Sequence, residues 1–335
     1  ASRLTSWLEG GEAPLSPEKI MVAGYERAVA TPADPSLARY DGSKDAGGLA
    51  RKFVAPPFSV LDTRQGYWQE RKQWWLKKTG SLTLTKEQVL SGGDNMIATV
   101  NGGSSNFDPV LAEVIYKWFG RPGGSVLDPF GGEQTKGVVA GEMGLKYDAV
   151  EIRAAQVELN RTAVSQYSGV AYHHGNSNSL GDLVPPGPYD LVFTSPPYYD
   201  LEVYSKEDMS ALGTYAEFME QYRNVFAQCV ERLAENRFLV VKVGEIRDKA
   251  NQAYRNFVGD NISLFCSLGL KYYNELVLIS PAGTAQLRAA NYMKTRKMVK
   301  LHQNVLVFYK GDADAIPEHF PELMESAEPD APPAE

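Results

Sequence analysis

Residues 125–152 constrain the fold more than any other part of the chain. Ser125-Val126-Leu127-Asp128 is a short apolar run that enters a glycine turn, Pro129-Phe130-Gly131-Gly132. Residues 136–144 then read as a helix closed by a glycine. Tyr147-Asp148-Ala149-Val150-Glu151-Ile152 is a second apolar run with an acid near its end. Strand, glycine turn, helix and acid-ended strand form the nucleotide-binding half of a doubly wound α/β sheet. The glycines let the backbone approach a ligand closely, and the acid is placed to accept both hydroxyls of a ribose. Neither a G-x-G-x-x-G pattern nor a Walker loop occurs, so no phosphate cradle is implied.

The rest of the chain extends this unit. Ala171 and Leu191 sit in further apolar runs separated by helical stretches, and residues 238–243 predict a fifth buried strand. Apolar spacing predicts helices over 110–119, 215–234 and 261–268. Residues 272–279 and 303–309 predict a terminal antiparallel pair. The expected fold is a doubly wound, Rossmann-like α/β sheet, mostly parallel. Residues 1–95 read as an N-terminal arm, with helices over 17–30 and 68–78 and a short one within 82–94. Residues 96–310 read as the main domain, and 311–335 as an acidic, disordered tail.

A second feature places chemistry on the sheet. The run Tyr189-Asp190-Leu191-Val192-Phe193 is followed by Thr194-Ser195-Pro196-Pro197-Tyr198. Two prolines fix φ twice and remove two backbone donors, so the strand must end in a stiff turn. A hydroxyl, carbonyls without competing amide hydrogens and an aromatic face then stand at the carboxyl end of the strand. Ligands bind at that edge of open α/β sheets. A flat base with an exocyclic amine could donate to Ser195 and to the Pro196 carbonyl while stacking on Tyr198. By itself such a turn reads more readily as a strand end with a packed tyrosine.

Ser195-Pro196-Pro197-Tyr198 together with Asp128-Pro129-Phe130-Gly131-Gly132 resembles the catalytic and cofactor motifs of DNA amino-methyltransferases. Those enzymes move a methyl group from S-adenosylmethionine to N4 of cytosine or N6 of adenine. The resemblance spans roughly residues 100–310. It implies that Ser195, Pro196, Pro197 and Tyr198 are catalytic. It also implies that Asp128, Phe130, Gly131, Gly132 and Thr135 line the methionine end of the cofactor. Glu151, with Ile152 beside it, would hold the ribose; Asn176, followed by Ser177, would hold the adenine amine. Phe107 and Asp108, in Ser105-Asn106-Phe107-Asp108-Pro109, resemble the segment that closes over the cofactor. Three departures stand out. Asn176 replaces the usual Asp, keeping the carbonyl acceptor without the charge. Glu133-Gln134-Thr135-Lys136 replaces the usual small residues. The cofactor motif precedes the catalytic one, whereas these motif forms more often occur in the opposite order. Ser before the proline pair leans toward N4-cytosine over N6-adenine. An RNA or protein amine methyltransferase, or a non-catalytic DNA-binding relative, are the competing readings.

Charge and cysteine usage bound the alternatives. The net charge is −7, but residues 311–335 carry eight acids and no Lys or Arg, and without them 34 basic residues face 33 acidic ones. DNA as the expected partner therefore depends on local clusters rather than on the total. One basic stretch, residues 64–78, interleaves Tyr67, Trp68, Trp74 and Trp75, and reads equally as a DNA surface or a packed helix. The other, residues 288–300, holds Arg288, Lys294, Arg296, Lys297 and Lys300 with no acid, and reads as DNA-binding. Sequence recognition would fall to residues 1–95 or to the loops after Tyr198 and Ile279. Cys229 and Cys266 have no metal-ligand spacing, and neither follows a proline as in the C5-cytosine enzymes. No metal, a reducing cytoplasmic setting and no membrane partner are the expectations, since no apolar run reaches spanning length.

Overall fold

The computed structural model describes residues 48–78, 107–199, 209–283 and 285–323. The helices expected over 17–30 and within 82–94 lie outside these residues. In chain order the elements are α1 (Gly48–Phe53), β1 (Val60–Asp62), α2 (Gly66–Lys78), α3 (Pro109–Phe119), β2 (Ser125–Asp128), α4 (Thr135–Glu142) and β3 (Lys146–Glu151). They continue with α5 (Ala154–Ala163), β4 (Val170–His174), α6 (Leu180–Leu183), β5 (Tyr189–Thr194), α7 (Tyr215–Arg232) and β6 (Leu233–Val243). The last are α8 (Phe257–Ser267), β7 (Lys271–Ile279), α9 (Ala285–Met293), β8 (His302–Lys310) and α10 (Ile316–His319).

Eight strands form one sheet in the order β1-β7-β8-β6-β5-β2-β3-β4. Every neighbouring pair is parallel except those made by β8, which runs antiparallel to both β6 and β7. The doubly wound Rossmann-like sheet and the antiparallel β7–β8 pair are as expected. Because β7 is antiparallel to β8, it points the same way as β5 and β6. The ends of β2, β3, β5, β6 and β7 therefore share one carboxyl edge, and every loop discussed below leaves from it.

Helices cover both faces. On one, α2, α3 and α4 bury Trp68, Trp75, Val110, Ile115 and Val139 against Val126, Phe193 and Val240. On the other, Phe218, Tyr222, Phe226 and Phe265 of α7 and α8 pack on Leu127, Val192 and Leu239. The alternation of β5 and β6 residues between the two clusters follows from the two-residue side-chain period of a strand. Local chemistry sets the helix starts. Asp108 caps α3, accepting from the Val110 amide at 3.0 Å. Thr214 and Glu217 form a reciprocal capping box on α7.

The structure redraws both ends of the main domain. β1 lies within the expected N-terminal arm, yet it pairs with β7, from Val60 with Val277 to Asp62 with Ile279. The tryptophan-rich stretch 64–78 is a packed helix: Trp68 and Trp75 are buried, and four of its five cations pair with acids. Arg71 bonds the buried Glu113, which also accepts from the Trp75 indole at 2.7 Å. Lys72 pairs with Asp108 at 3.0 Å, Lys78 with Glu142 at 2.8 Å and Arg64 with Asp62 at 2.7 Å. The expected disorder from residue 311 also fails over 311–323. Ala313, Ile316 and Phe320 recur at helical spacing and pack on the core, with Phe320 5.1 Å from the Phe238 ring. Two of the acids there have partners, Asp312 capping the Asp314 amide and Glu322 pairing with Lys52. A composition count conceals this apolar stripe.

Phe320→Ala should therefore destabilise the body. A fully buried phenylalanine costs about 3–5 kcal/mol on truncation, and this half-buried one about 1–2 kcal/mol. Thermal unfolding should show a midpoint several degrees lower, about 2–4 °C per kcal/mol at this size. An unchanged midpoint would mean that residues 311–323 do not hold to the sheet.

Candidate active site

The carboxyl edge is organised around Asp128, which is fully buried at the end of β2. Its Oδ1 accepts from the Thr194 hydroxyl at 2.6 Å and from the Phe130 amide at 3.1 Å. Its Oδ2 accepts from the Tyr147 hydroxyl at 2.6 Å and forms an ion pair with Lys136. Lys136 is itself buried, and its Nζ also reaches the Phe130 carbonyl at 3.3 Å. One carboxylate thus joins the last residue of β5, the glycine turn, β3 and the first turn of α4. A buried pair with its remaining positions filled by hydrogen bonds escapes much of the desolvation penalty. Burial raises the Tyr147 hydroxyl pKa well above the usual tyrosine value, and the neighbouring Asp128 charge adds to the shift.

The glycine turn follows. Gly131 donates to the Val150 carbonyl at 2.8 Å, and a Cβ there would come within 3.0 Å of the Ala149 Cβ. Gly132 has φ +62°, which favours glycine, and a Cβ there would meet open space. Glu133 folds back into the protein. It accepts from the Phe107 amide and from both the amide and the hydroxyl of Thr135, at 2.9, 2.9 and 2.6 Å. Burial raises its carboxyl pKa, while the Thr135 and Phe107 hydrogen bonds and Lys136 oppose that shift. Phe107 is thereby held over the turn, with its ring 5.4 Å from the Lys136 ammonium and 4.7 Å from that of Lys242.

The other cofactor-site candidates divide in two. Thr135 is fully buried, Ser177 bonds the Pro129 carbonyl, and Asp108 pairs with Lys72 and Trp68. These residues shape the loops from within. Phe130, Gly132, Ile152 and Asn176 are partly exposed along the edge. Asn176 accepts from the Asn178 amide at 3.0 Å. Glu151, at the end of β3, is oriented by Arg153, whose amide and Nε both donate to Oε1 at 2.9 and 2.8 Å.

The proline motif stands one strand away. The hydroxyls of Ser195 and Tyr198 both lie 3.4 Å from the Lys242 carbonyl, at the end of β6. Gln303 of β8 donates to the Tyr198 hydroxyl at 3.1 Å, and Phe257 meets the Tyr198 ring edge-on at 6.2 Å. Pro196 is buried and Pro197 half-buried. Lys242 and Gln303 escaped the sequence reading, because nothing near them in the chain points to Tyr198. Only the insertion of β8 beside β6 brings Gln303 there.

All five basic residues expected to bind DNA lie on the excursion from β7 to β8, but they are not equivalent. Lys300 is turned inward, with Nζ about 3.7 Å from where a Gly244 Cβ would stand. Burial holds its ammonium pKa below the usual lysine value, with Glu245 opposing. Lys297 bonds Gln252, on the loop after β6. Arg288, Lys294 and Arg296 are exposed. Among the described residues there is no cluster of metal-ligating side chains and no helix long and apolar enough to cross a membrane.

No family model matches the sequence, and no curated protein matches it. Solved structures that resemble it are distant. TrmN from Thermus thermophilus is 16% identical over 62% of this chain and 50% of its own, with a TM-score of 0.42. This chain thus spans half the length of that protein. A putative sarcosine dimethylglycine methyltransferase from Galdieria sulphuraria is 13% identical over 72% and 99% of the two chains, with a TM-score of 0.43. The 1,6-didemethyltoxoflavin-N1-methyltransferase of Burkholderia thailandensis is 15% identical over 60% and 76%, with a TM-score of 0.42.

Asp128→Ala should cost about 3–5 kcal/mol of unfolding free energy in urea, because it leaves the Lys136 ammonium buried without its partner. The double variant Asp128→Ala/Lys136→Met should recover part of that loss. If the single variant were as stable as the parent, Asp128 would not be the tie between the two loops.

Proposed function

We propose that the chain transfers a methyl group from S-adenosylmethionine to the exocyclic amine of a base in DNA, with N4 of cytosine favoured over N6 of adenine. The observation that carries this reading is the pairing of Ser195 and Tyr198 on one carbonyl. A serine whose proton is directed at the Lys242 carbonyl presents its lone pairs outward as an acceptor. The glycine turn is tied to that motif through Asp128 and Thr194, so donor and acceptor sites would keep a fixed separation.

The residues present fit the cofactor. Gly132 leaves open space at the turn, Glu151 is held at the strand end for ribose hydroxyls, and Asn176, whose side-chain oxygen caps the turn after it, lies on the partly exposed edge where an adenine would sit. When bound, S-adenosylmethionine supplies an electrophilic methyl group on a sulfonium. The chain's own part is to make a poor nucleophile better. An aromatic amine has its lone pair delocalised into the ring. Ser195 and the Pro196 carbonyl would accept hydrogen bonds from its two N–H groups, favour a pyramidal nitrogen and stabilise the positive charge that grows there as the S–CH3 bond breaks to leave a thioether, after which the nitrogen loses one proton to water. Holding the amine in line with the methyl group contributes much of the rest. Tyr198, steadied by Gln303 and Phe257, would stack on the extruded base in place of its lost neighbours. The cations of residues 288–300 would meet phosphates.

The deciding experiment is incorporation of labelled methyl groups into DNA, RNA and protein, followed by nucleoside analysis. N4-methylcytosine or N6-methyladenine in DNA supports the reading, whereas label confined to RNA or protein would replace it.

Ser195→Ala should lower turnover by about 10²–10³ while leaving S-adenosylmethionine affinity nearly unchanged, as for loss of one acceptor or donor at a developing charge. Tyr198→Ala should act similarly through lost stacking, worth about 1–3 kcal/mol. Loss of cofactor binding in either folded variant would overturn these roles. Glu151→Ala should do the reverse and weaken S-adenosylmethionine binding about tenfold to a hundredfold, since a charged acceptor bond contributes about 1.5–3 kcal/mol. An unchanged dissociation constant by calorimetry would reduce Glu151 to a partner of Arg153.

A further inference from the structure

The excursion of residues 280–301 leaves the sheet at the carboxyl edge. Its base is closed by the Ser280 amide on the Leu301 carbonyl at 2.9 Å. Lys300 is turned inward beside Gly244, two residues from the carbonyl that Ser195 and Tyr198 share. Lys297 anchors it sideways to Gln252. Its outward surface is of two kinds. Arg288, Lys294 and Arg296 are exposed, and no acid occurs from 280 to 301 in a chain of net charge −7. Leu287 is 84% exposed beside Arg288 on α9, and Met293, Met298 and Leu301 are exposed as well.

Single exposed apolar side chains are ordinary, but these four alternate with cations on one anchored segment at the catalytic edge. An all-basic surface has its complement in a polyanion. The apolar side chains add what a phosphate backbone alone does not need. A base pulled from a duplex leaves an unstacked gap, at a cost of about a few kcal/mol, and proteins fill or open such steps with inserted leucine or methionine.

We propose that the 280–301 excursion docks on double-stranded DNA beside the target base. Arg288, Lys294 and Arg296 contact phosphates, and Leu287 enters the base stack. The insertion step rests on the reading of the site given above, in which the acceptor is an extruded base. The docking does not require that methyl transfer occur.

The test uses the full chain and a short fluorescein-labelled DNA duplex of mixed sequence, its separated strands and the same duplex as RNA, read by anisotropy across a salt series. The variants are Arg288→Ala/Lys294→Ala and Leu287→Ser, and all of these positions are exposed, so folding should be retained and is checked by circular dichroism. The double variant should bind duplex DNA about tenfold or more weakly at low salt, and the slope of log affinity against log salt should fall by about two. Leu287→Ser should weaken duplex binding several-fold while leaving single-strand binding and the salt slope unchanged. An unchanged slope in the double variant, equal losses on duplex and single strand for Leu287→Ser, or tighter binding to duplex RNA would each overturn the proposal. So would a dimer, seen by light scattering, that Leu287→Ser dissolves without affecting DNA binding. A chain that binds duplex DNA through these residues yet transfers no methyl group would sink the reaction and keep the docking. Variants that methylate duplex DNA like the parent would sink the docking and keep the reaction.

Discussion

The buried carboxylate of Asp128 is the constraint on which the carboxyl edge depends. It takes a donor from each of four places: Thr194 at the end of β5, Phe130 in the glycine turn, Tyr147 on β3 and Lys136 on α4. Without such a centre the turn after β2 and the proline motif after β5 would be two loops on neighbouring strands. With it, the end of one is bonded to the end of the other. A reaction that requires in-line geometry between two bound partners needs that kind of rigidity. The acid that reads in the sequence as lining a cofactor is fully buried, and the four donors it takes are all internal.

Lys136 and Glu133 explain how the turn can depart from small residues and keep its shape. Small side chains leave a helix start open to a ligand. Here both charged residues fold inward: Lys136 neutralises Asp128, and Glu133 collects the amides of Phe107 and Thr135. The two side chains form one polar network with Asp128 and Phe107, and neither projects into solvent. The cost of burying these charges is offset by saturation with donors and acceptors, as buried polar groups require.

The same inward bonding sorts the basic residues. Residues 64–78 carry five basic residues like residues 288–300, but they also hold Glu70, and Arg71, Lys72 and Lys78 are used against Glu113, Asp108 and Glu142. The later segment has no acid of its own, and its three outermost cations stay exposed. Among the described residues, the exposed cations without an acid in their own segment therefore lie on the β7–β8 excursion rather than on the aromatic helix.

By itself the sequence determined the class of the sheet and most of its strands between residues 125 and 310. A strand, glycine turn, helix and acid-ended strand left few alternatives to a doubly wound sheet, because each step is a local preference of φ, apolar period or capping chemistry. The proline motif was equally legible, since Pro196 and Pro197 stop a strand wherever they occur. Residues far apart in the chain were decided only by tertiary structure. β1 joins the sheet through pairing with β7, over two hundred residues away. Gln303 reaches Tyr198 only because β8 lies antiparallel beside β6. Residues 313–320 hold to the core because a stripe of three apolar side chains finds Phe238, a match that composition cannot register. Whether Asp128 faces a ligand or four internal donors depends on Tyr147, Thr194 and Lys136 converging on one point, and convergence is a property of the packed sheet rather than of any local sequence.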